Sequence, residues 1–237
     1  MVGEGDQSDH SEHIVDRDFV FNPILKPGHM EVFCGPMMSR KSLSLLMGID
    51  YIEHTTNAEY ILFKPDKDTR DGPYVKTRFL GQEILVPCTF IPYEHPEEML
   101  KYIDGKNVIG IDEVQFFKGL IVPVLEELRR MKNYVLISGL DLNFRGEPYG
   151  QMPEIIARAN DVYKNFGVCS YRIDEDHVCG RPAYFTQREK HGQPDDYSSP
   201  IDVIEDKKKE SIYSYHVRCD SHHFVPGRPS LEELLKR

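Results

Sequence analysis

The chain has 237 residues, 40% hydrophobic and 29% charged, with a formal net charge of -10 at pH 7. That length fits one or two domains with a buried core, and the acidic balance argues against DNA or RNA as a bulk partner, because backbone binding needs basic surface. No apolar run approaches the ~20 residues that span a bilayer, and the start MVGEGDQSDHSEH lacks the basic and apolar regions of a secretory signal, so a soluble cytoplasmic protein is expected.

Residues 1–17 carry few large apolar groups, and a disordered acidic tail is expected there. HMEVFC (29–34) reads as a short strand running into GPMMSRKS (35–42). From Lys41 to His54, apolar residues at 43, 45, 46, 49 and 52 recur at helical spacing. AEYILFKP (58–65) is a second strand, followed by the polar loop DKDTRDG. EILVPCTFI (83–91) reads as one strand, with Pro87 suggesting an edge, and HPEEMLKYI (95–103) as a short helix with proline in its first turn. NVIGIDEVQFF (107–117) is a buried strand ending in acids, LIVPVLEELRRMK (120–132) a helix and NYVLISGLD (133–141) a strand. Strands apolar along their length and alternating with helices predict a parallel sheet covered on both faces. Near residue 166 the chain changes to short segments with scattered Cys and His and the charged run IEDKKKE (204–210), which predicts a smaller second unit. VPGRPSLEELLKR closes the chain with a short, solvated helix.

GPMMSRKS matches the phosphate-loop pattern G-x-x-x-x-G-K-[ST] at Gly35, Lys41 and Ser42, but Arg40 replaces the second glycine. Strand, loop, helix is the context such a loop requires. Its backbone N–H groups and the helix N-terminus would face phosphates, with Lys41 reaching the β- and γ-phosphates and Ser42 helping to hold Mg²⁺. On its own the motif reads equally well as an ordinary loop. VIGIDE places Asp112 and Glu113 at the end of an apolar strand, where ligands of open α/β sheets collect. Asp112 suits the Mg²⁺ shell, and Glu113 suits proton removal from an attacking hydroxyl. Alone, that pair reads as a helix cap or solvated turn; after the loop, it points to nucleotide chemistry. A left-handed backbone at Arg40 would cost roughly 1–2 kcal/mol, while its guanidinium could contact a phosphate. The five cysteines, without a secretory signal, are expected to be reduced, with Cys34 and Cys88 as packing residues.

Six blocks, GPMMSRKS, FKPDKDTR, IDEVQFF, GLDLNFRGEPYG, VCGRPA with TQR, and YHVRCDSHH, occur in the order seen in the zinc-containing, type II thymidine kinases. The chain resembles that family over about residues 29–224. The resemblance implies an α/β fold with a P-loop (RecA-like) parallel sheet flanked by helices, plus a small zinc-binding lasso domain. It divides the chain into the tail (1–17), an ATP-binding domain (18–165), the zinc-binding and lasso unit (166–224) and a C-terminal tail (225–237). It implies transfer of phosphate from ATP to the 5′-hydroxyl of thymidine for DNA synthesis, with Mg²⁺ and a structural Zn²⁺, in a homo-oligomer (dimer or tetramer). Gly35, Ser39, Arg40, Lys41 and Ser42 would then serve the phosphates, Asp68 and Arg70 would come near them, Asp112 would serve the metal, and Glu113 would be the general base. Met37, Phe116 and Tyr149 match positions lining the nucleoside pocket, and Tyr215 is placed to pack on the nucleoside.

The implied zinc ligands are Cys169, Cys179, Cys219 and His222, with SYRIDED inserted in the first pair. Asp176 or His177 in place of Cys169, and His223 in place of His222, stay open. The lasso segment VIEDKKKESIYSY is longer and more charged than the family's turn and lacks its glycine. That leaves two alternatives: a kinase for another pyrimidine deoxynucleoside such as deoxyuridine, or a non-catalytic nucleotide-binding protein.

Overall fold

A computed structural model describes residues 25–69, 71–203 and 211–236; the acidic tail, Arg70 and the 204–210 charge run lie outside the described residues. In chain order the first half comprises strand β1 (Met30–Cys34), helix α1 (Lys41–Thr55), β2 (Tyr60–Pro65), β3 (Tyr74–Phe79), β4 (Gln82–Pro87), β5 (Thr89–Ile91), a 3-10 turn (Pro96–Lys101), β6 (Val108–Ile111), α2 (Ile121–Arg130), β7 (Tyr134–Gly139), α3 (Met152–Arg158) and β8 (Asp161–Lys164). Six of these strands form one parallel sheet in the order β5-β2-β6-β7-β1-β8.

Period-two side-chain alternation explains why this sheet has two cores. Met30, Val32, Cys34, Ile109, Ile111, Val135 and Ile137 point to the face covered by α2 and α3. Phe33, Val108, Tyr134 and Leu136 point to the other face, where Leu45, Leu46, Ile49 and Ile52 of α1 pack with Val75 of β3. Cys34 and Cys88 pack as expected, and burial pushes both thiols up to about 11. Among the described residues, no helix is long and apolar enough to cross a membrane.

Two expectations need correction. The stretch 83–91 is two strands: β4 pairs with β3 in an antiparallel hairpin, whereas β5 joins the main sheet beside β2. The break falls at Cys88, whose N–H turns to the Pro73 carbonyl at 2.9 Å. The buried run at 107–117 leaves the sheet after Ile111, because Glu113 adopts a left-handed backbone (φ 53°, ψ 38°) that starts a short 3-10 turn over Val114–Phe116.

The remaining described chain is antiparallel. β9 (Gly167–Val168) pairs with β10 (Pro182–Ala183), and β11 (Phe185–Lys190) lies between β12 (Gln193–Pro194) and β13 (Tyr213–Arg218). A one-turn helix, α4 (Leu231–Leu234), follows; Ser230 and Glu233 form its capping box.

Candidate active site and metal centre

β7 lies between β1 and β6, so the C-terminal ends of three adjacent strands deliver the glycine loop, Ser138 and Asp112 to one place. Gly35 has φ 139°, and a β-carbon there would stand 2.2 Å from the Asn165 carbonyl oxygen, so only glycine fits. Arg40 occupies the left-handed region (φ 65°, ψ 24°) immediately before α1, and its side chain is exposed. Its carbonyl accepts the first bond of that helix from Ser44 N–H at 2.9 Å. Ser39 Oγ is buried and has no hydrogen-bond partner among the described residues. Lys41 is buried, and its ammonium donates to the Pro36 carbonyl at 2.6 Å. Burial pulls its pKa down, while Glu113, Asp112 and Asp141 oppose that.

Ser42 Oγ donates to Asp112 at 2.9 Å, and Ser138 Oγ donates to the same carboxylate. Burial and the neighbouring Glu113 push the Asp112 carboxyl up to about 6. A buried carboxylate with that bias and a hydroxyl at its side gains from a cation, which fits the donor set of a Mg²⁺ site. Glu113 is aimed into the cavity by its strained turn, and Gln115 Nε2 donates to its Oε2 at 2.5 Å. Asp68 is buried in an ion pair with Lys64 at 3.0 Å.

A cavity of about 640 Å³ joins these groups: Arg40, Lys41, Ser42, Asp68 and Glu113 line one part, and Met37, Phe116, Tyr149 and Tyr215 line another. Gly35, Ser39 and Asp112 are not among its lining residues. Phe116 and Tyr149 meet edge to face, with ring centroids 5.8 Å apart, and Met37 N–H donates to Thr186 Oγ1 at 2.9 Å. Asp202 ties three segments together, because its carboxylate accepts from the Tyr149 hydroxyl and pairs with Lys67. Burial raises the Asp202 carboxyl, but the Lys67 and Tyr149 bonds outweigh it and hold the group below the usual carboxylate range. Arg188 is fully buried and anchors the chain before the 204–210 run: Nε bonds Asp195 at 2.7 Å, and the two terminal nitrogens bond the Ile201 and Pro200 carbonyls at 2.8 and 2.7 Å.

Cys169, Cys179, Cys219 and His222 converge, their ligand atoms all within 4.8 Å of one another. His222 Nδ1 is 3.5 Å from Cys169 Sγ and 3.4 Å from Cys219 Sγ, and Cys179 Sγ is 3.9 Å from Cys219 Sγ. A tetrahedral zinc with Zn–S near 2.3 Å and Zn–N near 2.0 Å spaces its ligands roughly 3.5–3.8 Å apart, so the donor set and spacing fit structural Zn²⁺. The geometry gathers these four and leaves the alternatives outside. His177 bonds Asp174 at 2.8 Å on the exposed insertion, Asp176 lies there too, and neither joins the cluster. His223 bonds the Phe144 carbonyl at 2.9 Å and stacks on Phe185, away from it. The insertion folds outward as a small hairpin, with Ile173 N–H on the His177 carbonyl and Cys179 N–H on the Tyr171 carbonyl at 2.9 and 2.8 Å, so it leaves the ligands in place. A second cluster, His29, Glu31 and Asp161, already holds a cation from the chain itself: Lys26 Nζ, 2.7 Å from Glu31 and 3.2 Å from Asp161.

Sequence reasoning missed several of these contacts. Gln115 and Arg188 lie inside blocks already singled out, IDEVQFF and TQR, and a polar side chain beside such a motif is a usable signal. Ser138, Lys67 and Asp202 carried none.

A glycine-led loop between strand and helix, with a buried serine–aspartate pair and a second carboxylate at the same cavity, defines the class of P-loop nucleotide-binding enzymes. The family model described as "Thymidine kinase" matches residues 28–223. A thymidine kinase of Coprothermobacter proteolyticus is 37% identical over 86% of this chain and 95% of its own length. Those of Thermococcus kodakarensis and Mycoplasmoides gallisepticum are each 34% identical, over 86% and 85% of this chain and 98% and 84% of their own lengths. The chain belongs to the thymidine kinase family.

Proposed function

We propose that this protein transfers the γ-phosphate of ATP to the 5′-hydroxyl of thymidine, producing thymidine monophosphate. The observation that carries the reading is the convergence of Lys41, Ser42 and Glu113 with Phe116 and Tyr149 on a single cavity. Lys41 and the N–H groups of the 35–42 loop bind the phosphates, with Asp68 and Arg40 nearby, and the family resemblance assigns Arg70 to the same phosphates. Mg²⁺ bound with ATP neutralises charge on the phosphate oxygens, and Ser42 and Asp112 are the residues that would hold it. Glu113 takes the proton of the 5′-hydroxyl as that oxygen attacks. Met37, Phe116, Tyr149 and Tyr215 enclose the nucleoside; a flat apolar aromatic surface suits a pyrimidine. Zn²⁺ on Cys169, Cys179, Cys219 and His222 is structural. The division at residue 166, a dimer or tetramer, and a cytoplasmic location belong to the same proposal and rest on family membership.

The rival substrate is a related pyrimidine deoxynucleoside such as deoxyuridine, because the segment VIEDKKKESIYSY departs from the turn that the thymidine kinase family has there. Phosphate transfer from ATP–Mg²⁺ to four deoxynucleosides and deoxyuridine separates the two readings. Glu113→Gln should lower thymidine turnover by ~10²–10⁴-fold; near-normal turnover in that variant removes Glu113 from the mechanism.

A further inference from the structure

Gln115 is 4% exposed, yet its side chain is polar and makes hydrogen bonds at both ends of its amide. Oε1 accepts from the Leu140 backbone N–H at 3.0 Å, and Nε2 donates to Glu113 Oε2 at 2.5 Å. The first bond decides the second. An N–H can be met only by an acceptor, so the amide oxygen must face Leu140 and the NH₂ must face Glu113. Two glycines leave the room: a β-carbon on Gly139 would stand 2.8 Å from Gln115 Oε1, and one on Gly150 would stand 2.9 Å from the Gln115 carbonyl. Both glycines frame the block GLDLNFRGEPYG, so that loop is shaped around this residue.

We infer that Gln115 is the positioning residue for Glu113: it fixes the carboxylate at the angle from which it meets the substrate hydroxyl, and it is itself fixed by the end of β7. This rests on the reading of Glu113 as the base. The arrangement has a physical need: the left-handed turn aims Glu113 at the cavity, but the torsions along its side chain still leave the carboxylate several rotamers until a partner holds it. A displacement of about 1 Å at such a group lowers rate by ~10²-fold.

The variant that separates positioning from scaffolding is Gln115→Glu. It keeps an acceptor for the Leu140 N–H but sets a second carboxyl against Glu113, so the two must share a proton or repel, and either way Glu113 loses its neutral donor. Steady-state kinetics on the full-length, zinc-loaded protein should show kcat down by ~10–10²-fold with KM for ATP and thymidine within about 2-fold of wild type; a second buried acid lowers the melting temperature, so the split between kcat and KM, read well below that temperature, is the readout. Near-normal kcat overturns the inference and leaves Gln115 a tie for Leu140. Gln115→Ala, measured alone and in the Glu113→Gln background, is the second arm. A residue acting only through Glu113 adds no further loss there, whereas a structural residue adds its full effect. A slow Glu113→Gln enzyme with additive loss sinks the Gln115 inference alone; normal turnover by Glu113→Gln sinks both readings.

Discussion

Arg40 holds a position where the phosphate-loop pattern has glycine, and its backbone shows what that substitution costs. With φ 65° and ψ 24° it lies in the left-handed region, where a β-carbon costs about 1–2 kcal/mol. Glycine relieves that strain but loses ~0.5–1 kcal/mol more conformational entropy on folding, so the net gain is roughly 0.5–1 kcal/mol. The informative comparison is Arg40→Gly against Arg40→Ala. Both remove the guanidinium, which is exposed and packs little, and only the first removes the β-carbon. At ~2–4 °C per kcal/mol for a chain of this size, Arg40→Gly should melt about 1–4 °C above Arg40→Ala by differential scanning calorimetry. Arg40 lines the cavity, so both variants should also weaken ATP binding equally, by ~3–10-fold, through loss of a charge-assisted contact. Equal melting temperatures for the two variants would refute the strain argument. Weaker ATP binding in Arg40→Gly alone would show that the backbone, and not the charge, is what the phosphates meet.

Cys219→Ser should release the zinc and lower the melting temperature, since structural zinc contributes directly to folding; metal analysis of purified protein that still finds one equivalent would remove Cys219 from the ligand set. Asp202→Asn keeps an acceptor for Tyr149 but removes the charge facing Lys67, so thymidine affinity should fall by ~3–10-fold, about what a partly buried charged hydrogen bond contributes. Unchanged affinity by titration calorimetry would mean that the tie plays no part in binding. The wild-type carboxyl is depressed, so its contribution is fully present above the unfolded value near 4. It is lost as pH falls through the lower folded value, so the variant and wild type should converge in stability only in acid.

Long, uniformly buried stretches were the most legible part of the fold. β1, β2, β6 and β7 announce themselves because a central parallel strand must be apolar on both faces. α1 was legible for a different reason, the helical spacing that puts Leu45, Leu46, Ile49 and Ile52 on one packed face. β4 was legible as part of the run 83–91, but its partner β3 was not: YVKTRF alternates weakly and is largely solvated, and Val75 is its one fully buried side chain. β8 sits at the sheet edge with three of four residues exposed, so DVYK carries little signal. At the site, the residues that motif spacing names converge on one place, whereas their supports do not follow from spacing. Ser138 reaches Asp112 only because β7 lies between β1 and β6, and no local pattern encodes which strand lies between two others. Asp202 lies 135 residues from Lys67, and the contact depends on how the chain returns to the cavity.

Lys41 is almost wholly buried at the wall of the cavity, bound to the carbonyl of Pro36 in its own loop. An ammonium in bulk water must shed a tightly held hydration shell before it can touch a phosphate. Here much of that dehydration is incurred as the chain folds and buries Lys41, so an arriving phosphate oxygen can take the place of the Pro36 carbonyl. The acids that raise the proton affinity of Lys41 keep the charge in place meanwhile. Preorganisation of this kind favours a ligand rich in anionic oxygens over water, which offers a single neutral one. The loop therefore selects for nucleotide before any group on the base or sugar is read.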